Sequence, residues 1–116
     1  MPTRRTPIDR IVSKLTAHFE IAVEDLDVQT GTKKAGPARL MGVFFLARAG
    51  YNNQEIAKIF NYKSASAFDD KLAKYEHAFS SGSGQLYEAI VRFANQQGLR
   101  HLIRSILISR VSFVFQ

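Results

Sequence analysis

The chain has 116 residues, 46% of them apolar and 22% charged, and no cysteine. That length supports one domain around one modest core, and the composition excludes both a disordered and a collagen-like chain. The lack of thiols excludes disulfides, thiol nucleophiles and cysteine-ligated zinc or iron–sulfur sites. The formal charge of +6 admits nucleic acid first, and acidic lipid or protein second.

The opening Met1-Pro2-Thr3-Arg4-Arg5-Thr6-Pro7 is basic, and Asp9, Lys14 and His18 interrupt any apolar signal core behind it. No apolar run reaches the roughly 18 residues that a membrane span needs, so the expected compartment is the cytoplasm. Ile8, Ile11, Val12, Leu15 and Phe19 recur at intervals of three and four, which predicts an amphipathic helix over 8–19 with Pro7 in its first turn. Residues 24–26 read as a short helical turn. Residues 29–37, punctuated by two glycines and a proline, read as a loop from which Lys33 and Lys34 project.

The next helix starts near Pro37 and fills 38–49. It is apolar over much of its circumference, so it belongs at the centre of the core, and Gly42 allows a neighbour to approach it closely. Asn52 with Glu55 three residues on predicts a capped helix whose buried side is Ile56, Ile59 and Phe60. Asn61-Tyr62-Lys63 makes a turn. Ser64, or Ser66 with Asp69, caps a following helix that runs to about Phe79. After a Ser/Gly break at 80–84, Leu86, Tyr87, Ile90, Val91 and Ala94 mark another helix that ends before Gly98. Leu99, Leu102, Ile103, Ile106 and Leu107 mark the last clear one, and 111–115 fits either a helical continuation or a strand. The expected fold is all-α, an orthogonal bundle of five or six helices in a single domain over 1–116.

The strongest constellation is the unit 53–68. A short helix, a three-residue turn and a second capped helix have the spacing of a helix–turn–helix. In such a unit the second helix enters the major groove, N-terminal residues foremost. The small residues Ala65, Ser66 and Ala67 permit close approach, and Ser66 can bond to a base edge or to phosphate.

Residues 7 to about 79 resemble the C-terminal DNA-binding domain of the bacterial chromosomal replication initiator (DnaA) family, whose helix–turn–helix is related to that of the tryptophan repressor. The resemblance rests on Ile8-Asp9-Arg10-Ile11-Val12, on Phe19 to Leu26, and on Ala38-Arg39 and Leu46-Ala47-Arg48. It continues through Gln54-Glu55-Ile56-Ala57 and Phe60, and through Lys63-Ser64-Ala65-Ser66-Ala67-Phe68. The last of these falls where the family carries its DNA-reading signature. Ser64 and Ala65 stand where that signature has an acid and a histidine, and Lys63 stands at its arginine.

The resemblance implies duplex DNA binding by a replication- or transcription-related regulator. It implies contacts from Lys33, Lys34, Arg39, Lys63, Ser64, Ala65, Ser66 and Ala67. No phosphate-binding loop, metal motif or catalytic constellation is present, so neither an enzyme nor a cofactor is expected. The extension at 84–116 lies past the resemblance, and after Glu88 it holds no acid. It reads as a helical pair thickening the core, as an oligomerisation surface, or as a basic amphipathic helix for acidic membranes. A homodimer or a protein partner would be contacted through 99–115. The alternative function is a protein-interaction or adaptor module on a DNA-binding-like scaffold, for which Asp69 and Asp70 on the proposed reading helix speak.

Overall fold

The computed structural model describes residues 6–31 and 33–103. Five α-helices follow one another: α1 (Ile8–Phe19), α2 (Gly36–Arg48), α3 (Asn53–Phe60), α4 (Asp69–Ser81) and α5 (Gln85–Gln97). Three 3₁₀ turns, Val23–Leu26, Lys33–Ala35 and Ala65–Ala67, lie between them, and the described residues contain no strand. A further helical segment begins at 101. The architecture is the all-α bundle that the periodicities predict.

α2 is the axis on which the others pack. Ala38, Met41, Val43, Phe44, Phe45 and Leu46 are all buried, so its apolar circumference faces neighbours on every side: α1, α3 and α4. Gly42 is fixed by this crowding. A Cβ there would lie 2.6 Å from Leu15 Cδ1 and 2.7 Å from Phe60 Cζ, and both of those side chains are fully buried. Three helices therefore meet where the middle one has no side chain, and the helix propensity that glycine forfeits, about 1 kcal/mol, is the smaller effect.

A chain of rings runs through the interior. Phe45 meets Phe44 at 5.2 Å and Phe93 at 5.0 Å, and Phe44 meets Phe79 at 5.8 Å. His18 sits edge-on to Phe93 at 5.0 Å. Burial, and then the charge of Arg92, lowers its pKa and favours the neutral ring.

α5 is an integral wall of this core. It lies on α4 and α1, with Ile90, Phe93 and Ala94 buried. The chain then turns at Gly98 in the left-handed conformation and sends Leu99, Leu102 and Ile103 inward. Arg48 Nε donates to the Leu102 carbonyl at 3.0 Å, and His101 Nε2 lies 2.8 Å from Thr6 Oγ1. Over 84–103 the extension thickens the core, and those three apolar residues are unavailable as an exposed patch. Residues 104–107 of the expected last helix, and the stretch 111–115, lie outside the described residues.

α3 begins as its sequence dictates. Asn52 Oδ1 accepts from the Glu55 N–H at 2.8 Å, and Glu55 Oε1 accepts from the Asn52 N–H at 3.0 Å. Asn52→Ala removes the side-chain half of this box and is expected to cost about 1 kcal/mol in urea denaturation. An unchanged unfolding midpoint would show that tertiary contacts alone hold the start of α3.

Candidate nucleic-acid interface

The candidate unit comprises α3, a turn over 61–64, the 3₁₀ turn and α4, so residues 61–68 separate the two helices where the sequence suggests a three-residue turn. α3 contacts the 3₁₀ turn, which contacts α4 in its turn, and α2 lies behind both helices. The turn is shaped by aromatic packing. Phe60 and Phe68 are buried, and Tyr62 lies between them, 6.4 Å from the first ring and 5.1 Å from the second. Asn61 ends α3 in the left-handed region (φ 60°), which asparagine tolerates better than most residues.

The second helix enters differently from the expectation. Neither Ser64 nor Ser66 caps it. Their hydroxyls pair with each other at 2.8 Å, and residues 65–67 form a 3₁₀ turn before α4 starts at Asp69. The cause is Phe68, which is 1% exposed and has ψ near 0°. Anchoring its ring in the core reorients the backbone between the 3₁₀ turn and α4. Asp69, which the sequence offers as the partner of Ser66, instead accepts from Asn53 Nδ2 at 3.3 Å and ties the starts of α3 and α4 together.

Lys33, Lys34, Lys63, Ser64, Ser66 and Ala67 are exposed, and Ala65 is half-buried. Two tethers bring the lysine-bearing segments together. In the first, the loop after the Val23–Leu26 turn is bonded to the end of α3. The Val28 N–H donates to the Phe60 carbonyl at 2.9 Å, Gln29 Nε2 donates to the Asn61 carbonyl at 3.2 Å, and Asn61 Nδ2 donates to Asp27 Oδ1 at 3.2 Å. The Gln29 N–H bond to Asp27, above all, holds this carboxyl below the usual carboxylate range. Asn61, the Thr30 N–H and the Arg39 charge act in the same sense against an opposing effect of burial. Gly31 is required by the same loop, because a Cβ there would fall on the backbone oxygens of Asp25 and Asp27.

Arg39 makes the second tether. The resemblance assigns it to DNA, but it is only 7% exposed. Its Nη1 donates to the Asp25 carbonyl at 2.7 Å, and its guanidinium also bonds the hydroxyl of Tyr62, whose pKa burial raises and the arginine partly restores. The first turn of α2 lies under the loop, so this cation faces inward, where a backbone carbonyl needs a donor. Arg39 therefore does not share the exposed surface of the three lysines. Its tether and the first one flank them: Lys33 and Lys34 lie between Asp27 and Arg39, and Lys63 follows Tyr62.

Asp25, Asp27, Gln29, Asn61 and Tyr62 thus build the site's frame, although only the turn residues Asn61 and Tyr62 stand out in the sequence. An Asp whose carboxylate accepts from the N–H two residues on is a common loop device, and Asp27-Val28-Gln29 shows it at 2.8 Å. Asp69 and Asp70 are exposed in the first turn of α4, so the N-terminus of that helix presents carboxylates beside the hydroxyls. Among the described residues no three His, Asp or Glu side chains converge as a metal site, and no helix is long and apolar enough to cross a membrane. Comparison with protein-family models, with curated proteins and with solved structures gives no match for the chain.

Proposed function

We propose that the chain binds duplex DNA through its helix–turn–helix, as a regulator of replication or transcription. The observation that supports this reading is the double tether, which anchors the segments on both sides of the exposed Lys33 and Lys34 to the turn that carries Lys63 and the Ser64/Ser66 hydroxyls. The mechanism is binding alone. The three lysines neutralise phosphates on either side of the reading segment, and Ser66 with Ala67 approaches base edges in the major groove. Asp70 bars phosphate from the start of α4, so the backbone of the duplex is held by the loop and the turn rather than by that helix end.

The test is a salt titration of binding to mixed-sequence duplex DNA. Each lysine in phosphate contact adds about 0.9 to the slope of log affinity against log salt, so Lys63→Gln and Lys33→Gln should each flatten it by about that amount. Absence of binding by the natural chain at low salt would refute the reading. A second reading, an adaptor module, is favoured by the exposed Asp69-Asp70 pair and predicts that neutralising those acids, rather than the lysines, abolishes association.

A further inference from the structure

On a basic protein, one concavity is acidic. It lies between α1, the Val23–Leu26 turn and α3, and encloses about 440 Å³. Val12, Val23 and Ile59 form its walls, and buried Phe60 lines it as well. Asp9, Glu24 and Asp27 line it too, with no lysine or arginine among the lining residues. Val23 is 54% exposed, the one large apolar side chain so displayed among the described residues.

Such a groove fits a segment that combines large apolar side chains with cations and no acid. The chain contains one in residues 104–116, where Arg104 and Arg110 accompany Ile106, Leu107, Phe113 and Phe115 without any acid. We propose that the groove receives the 104–116 segment of a second copy. Each copy carries both a groove and a segment, so reciprocal exchange closes a two-fold dimer with two identical contacts. The groove matches that segment in kind: Val23 and Ile59 offer apolar surface, and Asp9 and Glu24 offer the charge opposite to its arginines. Asp27 already binds Asn61 and contributes only its charge.

Sedimentation equilibrium of the full chain tests this independently of DNA. A concentration-dependent dimer is expected, weaker in about 0.5 M than in about 0.05 M salt as the facing charges are screened. Val23→Asp changes an exposed residue, so folding persists, as thermal unfolding will verify, while the dimer dissociation constant should rise at least about tenfold. Asp9→Arg with Glu24→Arg should abolish the dimer, as should Arg104→Glu with Arg110→Glu. All four changes combined in one chain should restore it. A chain that is monomeric at every concentration, or a dimer indifferent to Val23→Asp, would overturn the proposal.

Discussion

Replacing Phe45 by alanine is expected to destabilise the chain by about 3–5 kcal/mol, which is a large share of the roughly 5–15 kcal/mol that holds a typical domain together. The residue is fully buried in the C-terminal half of α2, and its ring touches Phe44 edge-on and Phe93 at a tilt. The loss therefore has three parts: the transfer energy of the ring, the cavity it leaves, and two ring pairs worth about 0.5–1.5 kcal/mol each. Relaxation offers little relief. Gly42 is already closed off by Leu15 and Phe60, so α2 cannot slide toward them to fill the space. In urea, where a small domain has a slope of about 1–3 kcal/mol per molar, the midpoint should fall by about 2 M. A fall below about 0.3 M would mean that the aromatic chain is not the centre of stability.

Arg39→Met separates holding the site together from touching a ligand. Methionine keeps the aliphatic volume of the stem and deletes the guanidinium, so the Asp25 carbonyl loses the bond Arg39 makes to it. A buried charge-assisted bond lost with its partner retained costs about 2–3 kcal/mol, and urea denaturation should show that. The binding readout is the more telling one. If Arg39 acts through the loop and the turn, DNA affinity falls while the salt slope stays that of the natural chain, because no phosphate contact has been removed. If it touched phosphate, as the family resemblance implies, the slope would drop by about 0.9. Arg39→Lys should rescue little, because a point charge cannot serve two acceptors in the fixed geometry of the fork.

These two residues also mark where the sequence was readable. Phe45 lies in a helix that is apolar all round, and the only place for such a helix is among other helices. The stripe Ile8 to Phe19 and the box at Asn52 and Glu55 are likewise local patterns with local causes, and each appears at the bounds expected. Arg39 is the opposite case. Its burial depends on a carbonyl fourteen residues earlier and a tyrosine well beyond it, and nothing in the spacing of its neighbours encodes either. The same is true of Asp27 and Asn61, which are 34 positions apart in the chain. The 3₁₀ turn at 65–67 was hidden for a related reason: serines offered caps, but the anchoring of Phe68 decided the backbone. Fold was legible through periodicity, whereas the frame of the candidate site is made of contacts between segments that are distant in sequence.

The tether between residues 27–29 and 60–61 has an entropic consequence. A loop that carries lysines commonly loses backbone freedom when it closes on a polyanion, and ordering a single residue costs about 1–2 kcal/mol. Here the start of the loop is already held, by the Val28 N–H on the Phe60 carbonyl and by the Gln29 side chain on the Asn61 carbonyl. The residues so held have no backbone freedom left to lose on association. Folding has met that share of the ordering cost in advance, so a surface of modest area can retain more of the energy its charges gain.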